Sequence, residues 1–91
     1  MSAQRADKRL RLTLLTRAYC HLCGTMREAL MPIAHQHGAT VAEFDVDADP
    51  ALEAAFGDLV PVVLLGDAAD GVVLCHYHLD RKRVVSALTG D

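Results

Sequence analysis

The sequence predicts a single α/β domain in which a four-stranded mixed sheet is flanked by helices, in the order βαβαββα. Three observations predict it. Apolar runs of strand character are separated by stretches whose apolar residues recur every three or four positions. The last two runs, Val60–Leu65 and Val72–Tyr77, are joined by the short turn-rich connector Gly66–Gly71, which makes them an antiparallel hairpin. A chain of 91 residues has room for one core, so every element must share it. With 52% hydrophobic and only 4% aromatic residues, that core is built of Ala, Val, Leu and Ile rather than stacked rings.

Residues 1–9 are polar and without period, and read as a flexible leader to a domain spanning 10–91. The segment Leu10–Thr16 begins in alternation and ends in an apolar pair, as a strand buried on at least one face would. From His21 to about His37, Leu22, Met26, Ala29, Leu30, Ile33 and Ala34 form a helical stripe, closed by Gly38. Pro32 interrupts it, and a kink or irregular turn is expected there because proline forfeits a backbone hydrogen bond. Thr40–Val46 is the second strand. Asp49 as cap and Pro50 at the first helical position open a short helix through Ala55 or Phe56, ended by Gly57. After the hairpin, Asp80 caps a last helix through about Leu88, with Val84, Val85 and Leu88 inward and Arg81, Lys82 and Arg83 largely outward. The strand–helix–strand start requires a parallel pair joined by a right-handed crossover.

The net charge of -3 and the lack of a basic stripe interleaved with aromatics argue against a nucleic-acid partner. No apolar run approaches the roughly 20 residues of a membrane helix. The first ten residues, MSAQRADKRL, lack the apolar region of a secretory signal, so a cytoplasmic protein without a membrane partner is expected. Three cysteines, an odd number, argue against a secreted disulfide framework and for reactive or metal-binding use of the close pair.

That pair is Cys20 and Cys23. Cys20 falls just after the first strand and at the mouth of the first helix, where unpaired N–H groups and the positive end of the helix dipole stabilise a thiolate. Cys20 is the expected nucleophile. Cys23, one turn further in, can close a disulfide with it and resolve a mixed disulfide with a substrate. Pro61 heads an apolar strand, where a residue without a backbone donor is tolerated, and cis bonds are overwhelmingly X-Pro bonds.

The run Thr16-Arg17-Ala18-Tyr19-Cys20-His21-Leu22-Cys23, followed by Leu59-Val60-Pro61, resembles the active site of glutaredoxins and their bacterial glutaredoxin-like relatives. The resemblance in element order covers nearly the whole chain from Leu10. It implies a thioredoxin-like fold of the glutaredoxin type and a thiol-disulfide oxidoreductase working through Cys20 and Cys23. It also implies a cis Val60–Pro61 bond beside the pair, which presents the Val60 backbone to a substrate's extended chain. Arg17 matches the family's basic residue that meets a glutathione carboxylate, and Tyr19 matches a common aromatic. Read as residues alone, Arg17 is equally a solvated loop arginine, and Tyr19 equally a cover for the helix end.

Two departures bear on the partner. Glutathione-using relatives carry a glycine pair and an acidic residue before the last helix, whereas this chain reads Cys75-His76-Tyr77-His78-Leu79-Asp80, with Asp80 better suited to capping. The residues between the cysteines are His21 and Leu22, and a charged His21 would favour the thiolate and make the disulfide more oxidising. No bound cofactor is therefore expected, and glutathione stands only as a candidate reductant beside a reductase. The expected substrate is a disulfide-containing protein or a small thiol compound, met by a monomer. Two other readings remain open at this point. One is a redox-sensing or adaptor module without turnover. The other is zinc held by Cys20, Cys23, Cys75, His76 and His78, against which stands the need to converge on one ion; Cys75 reads more simply as a buried strand cysteine. Asp45, Asp47, Asp49 and Asp58 read as caps and solvated loop residues.

Overall fold

The computed structural model describes residues 10–90. The expected leader, residues 1–9, lies outside the described residues. The elements are β1 (Arg11–Thr16), α1 (His21–Gln36), β2 (Thr40–Asp45), α2 (Pro50–Phe56), β3 (Val62–Leu65), β4 (Val72–His76) and α3 (Arg81–Thr89), with a 3-10 turn at Val46–Ala48 between β2 and α2. The strands form one sheet in the order β2-β1-β3-β4. β1 is parallel to β2 and antiparallel to β3, and β3 is antiparallel to β4 with an irregularity between Val63 and Leu64. This is the α/β thioredoxin-like fold.

β1 is central because its run Leu12–Leu15 is apolar enough to be covered on both faces. Leu12 and Leu14 join Met26, Leu30, Ile33 and Ala34 of α1 and Val84 and Leu88 of α3 in one cluster. Leu15 turns the other way, to Val46, Val62 and Leu64 under the partly buried Leu52 and Phe56 of α2. Each fully buried side chain of this kind stabilises the fold by roughly 1.5–3 kcal/mol.

The termini of the elements follow local chemistry. α1 ends in a Schellman arrangement: Gly38 is left-handed at φ 70°, its N–H donates to the His35 carbonyl, and that of Ala39 donates to the Ala34 carbonyl. The Asp49 carboxylate caps α2 through the Ala51 N–H at 2.9 Å, and the Asp80 carboxylate caps α3 through the Arg83 N–H at 3.0 Å.

Several boundaries differ from the sequence expectation. α1 runs through Pro32 without a break; Pro32 is exposed, so the carbonyl that loses its donor is one turn back on an open helix surface. Within the predicted stripe, Ala29 is exposed and Leu22 half-buried, and Cys23 takes the inward place. β3 starts at Val62 rather than Val60, β2 ends at Asp45 because Val46 turns inward as a buried 3-10 residue, and β4 ends at His76 because Tyr77 is left-handed at φ 65°. Val85 is only partly buried.

Candidate active site

Register brings the site together. Leu15 of β1 pairs with Val62 of β3, so the end of β1 and the start of β3 meet at one edge of the molecule. There β1 runs out through Arg17, Ala18 and Tyr19 into α1, and Val60 and Pro61 lead into β3. Tyr19, left-handed at φ 59°, turns the chain into the helix. Its side chain is exposed and does not cover the helix end.

Cys20 is the N-cap of α1, and its Sγ accepts a hydrogen bond from the Cys23 N–H at 3.1 Å. A sulfur in that position receives an unpaired backbone donor of the first turn, the arrangement that stabilises a thiolate. Cys20 and Cys23 form a disulfide with their Cα atoms 5.2 Å apart, inside the usual range for such a bond. Cys20 is half-buried and Cys23 only 1% exposed, so a reagent from solvent meets Cys20 first. His21 opens the helix as an exposed residue.

Pro61 is buried, Val60 is half-buried, and the bond between them is cis. The Pro61 carbonyl accepts from the Tyr77 N–H at 2.9 Å, and the Tyr77 hydroxyl donates to the Asp58 carbonyl at 2.6 Å. Tyr77 thus ties both ends of the segment 58–61 to the end of β4. The sequence offered no signal for this role, which depends on the left-handed turn at Tyr77.

Arg17 is not a solvated loop arginine. Its Nη2 lies 3.0 Å from an Asp47 carboxylate oxygen and 3.5 Å from one of Glu53. Asp47 stays exposed, as expected, while pairing with Arg17, and Asp45 caps the 3-10 turn and Asp49 caps α2 as expected. The stretch 45–58 visibly holds five acidic residues and no lysine or arginine, but nothing in it points to Arg17 as their partner. Beside the site, Glu43 binds Arg27 through two hydrogen bonds of 2.8 and 2.5 Å and accepts another from Thr16 Oγ1 at 2.9 Å. The hydrogen bonds from Arg27 hold the Glu43 carboxyl below its ordinary range, against the opposing effect of burial.

Cys75 is a free, buried strand cysteine, and burial pushes its thiol up. Among the described residues no group of three or more His, Cys, Asp or Glu side chains is placed to hold a metal ion, so the zinc reading finds no donor set there.

Comparison with known proteins agrees with this geometry. Residues 11–89 match the sequence profile of the glutaredoxin-like domain (DUF836). The chain belongs to that family. This glutaredoxin-like chain is 36% identical over 81 residues to an uncharacterized protein of Mycobacterium tuberculosis, covering 84% of its own length and 79% of the relative's. It is similar to the crystal structure of protein XcR50 from X. campestris, with 34% identity, a TM-score of 0.65 and coverage of 88% of this chain and 97% of that one. Thioredoxin 1 of Thermosipho africanus shares the fold at 17% identity, with a TM-score of 0.62 over 88% of this chain and 91% of the other.

Proposed function

We propose that the glutaredoxin-like chain is a thiol-disulfide oxidoreductase whose working group is the Cys20–Cys23 pair. The observation that carries the reading is the placement of Cys20 Sγ on the Cys23 N–H in the first turn of α1, with the buried Cys23 thiol as its partner. In the dithiol form, the Cys20 thiolate attacks one sulfur of a substrate disulfide. That S–S bond breaks, one substrate thiolate leaves and takes a proton, and Cys20 is joined to the other half as a mixed disulfide. Cys23 then attacks Cys20 Sγ, its proton goes to the departing second thiol, and the chain is left with the Cys20–Cys23 disulfide. Two electrons have passed from the pair to the substrate.

The Val60 backbone, at the head of β3 and facing the same edge, offers an extended substrate a strand-like docking rim, with Tyr19 and His21 flanking the thiol. The substrates that fit are disulfide-containing proteins or small disulfides, met by a monomer that needs no bound cofactor. A reductase or a thiol such as glutathione would return the pair to the dithiol. The cytoplasm suits this cycle, because its thiols are kept reduced. No helix among the described residues is long and apolar enough to cross a membrane.

The test is alkylation of the reduced protein against pH, with Cys20→Ser and Cys23→Ser beside the parent. Cys20 is expected to react with a midpoint below the free-cysteine value of about 8.5 and well below that of Cys23. Cys23→Ser should accumulate a mixed disulfide with substrate, and Cys20→Ser should exchange nothing. Equal midpoints in the two variants would remove the assignment of roles and favour the sensor or adaptor reading.

A further inference from the structure

We infer that Asp47 and Glu53, by occupying Arg17, make the thiol site select disulfide partners that carry positive charge beside the scissile bond; the inference rests on the exchange chemistry proposed above. Arg17 is the only lysine or arginine from residue 12 to residue 26, and it stands three residues before Cys20. Standing free, it would draw anionic partners toward the thiol. It does not stand free: both carboxylates meet the same Nη2, at 3.0 and 3.5 Å. Its Nε is enclosed by protein and makes no hydrogen bond, so that edge of the guanidinium cannot receive a ligand either.

Two carboxylates against one guanidinium leave a negative charge in excess on this flank. Asp45, whose carboxylate accepts from the Asp47 N–H, and Asp49, which caps α2, add to it. Arg27 brings no compensation, because Glu43 holds it through both oxygens. The remaining lysines and arginines among the described residues are Arg11, at the far end of β1, and Arg81, Lys82 and Arg83 on α3, which packs on the opposite face of the sheet from α2. An anionic disulfide must therefore approach α2 against repulsion and compete with two carboxylates already in place for Arg17. A basic peptide segment meets Asp47 and Glu53 directly. All three side chains are substantially exposed, at 32% for Arg17, 53% for Asp47 and 51% for Glu53, so the preference acts through a screened field and falls with salt.

The experiment is a single-turnover oxidation of the pre-reduced full chain by three small disulfides of different charge, followed by acid quench and alkylation. The disulfides are cystamine, which is dicationic, 2-hydroxyethyl disulfide, which is neutral, and oxidised glutathione, which is anionic. Each rate is divided by that of dithiothreitol with the same disulfide, to remove intrinsic reactivity. The expected order is cationic, neutral, anionic, with about a tenfold spread at low ionic strength that shrinks to about twofold in 0.5 M salt. Asp47→Asn with Glu53→Gln should frees Arg17, speed the anionic disulfide and slow the cationic one, while the neutral rate stays within about twofold. Each single variant should give an intermediate order, which keeps the test informative if the double variant folds poorly. Lys82→Gln, on the opposite face, should leave the order as it is. A normal neutral rate without charge order, or an order untouched in the variants, would overturn this inference alone. Failure of the chain to react with any of the three would overturn the oxidoreductase reading and this inference with it.

Discussion

Glu43 shows how single residues around the site depend on their partners. It takes two hydrogen bonds from Arg27 and one from Thr16, and its carboxyl is held below its ordinary value of 4.5. A carboxylate whose folded pKa is depressed contributes stability that is fully present above the unfolded value and is lost as pH falls through the folded one. Glu43→Gln is therefore expected to cost about 0.5–1 kcal/mol at pH 7, the range of a well-formed exposed pair. The difference from the parent should shrink as pH drops below about 4.5, which urea unfolding at pH 7 and pH 3 would measure. A cost that does not change between those pH values would mean that shape, not charge, holds the side chain. Cys75 gives a second check at this scale. Its buried, raised thiol should resist iodoacetamide in the folded chain and react at an ordinary rate once the chain is unfolded.

Among the elements, α1 carries an internal cost. Pro32 leaves the Glu28 carbonyl without its helical donor, yet the helix continues to Gln36 because Leu30, Ile33 and Ala34 are anchored in the core on either side of the proline. Pro32→Ala should restore the bond on an exposed surface and raise stability by about 1–3 kcal/mol, read as a shift of the urea midpoint without a change in slope. The connection between β4 and β3 offers the converse. Tyr77→Phe removes the hydrogen bond to the Asp58 carbonyl and leaves the Tyr77 N–H on Pro61. It should cost about 1 kcal/mol of stability. If the 58–61 segment receives the substrate, the variant should also raise KM for a disulfide peptide while leaving the Cys20 alkylation midpoint unchanged. A shifted midpoint would instead place Tyr77 among the groups that act on the thiol.

For the molecule as a whole, one sheet serves two unequal faces. α1 and α3 cover most of one face, whereas the short α2 covers less of the other, leaving a groove of about 750 Å³ floored by Thr13, Ala42 and Phe44. Stability is therefore concentrated in the α1–α3 layer. Leu14→Ala, at 0% exposure in that layer, should cost about 2–5 kcal/mol, a large share of the stability of a domain this size, seen as a marked fall in Tm. The same truncation at the half-buried Leu52 of α2 should cost distinctly less, since its side chain is already partly in water. Equal costs would contradict the uneven layering.

The order of elements, the capping by Asp49 and Asp80 and the placement of Cys20 at a helix start were legible because each follows from neighbours in sequence: apolar period, a short polar side chain before a helix, a glycine after it. The bounds of β3 and the fate of Pro32 were not, because strand length and helix continuity are set by what packs against them. The partners of Arg17 lay 30 and 36 residues away along the chain, and only the crossover from β2 through α2 to β3 brings Asp47 and Glu53 against it. The sequence by itself therefore determined which chemistry the chain carries and on which fold, since both are written in local pattern. The tertiary structure alone decided the charge that faces that chemistry, because an ion pair depends on distance in space and local pattern holds no record of it.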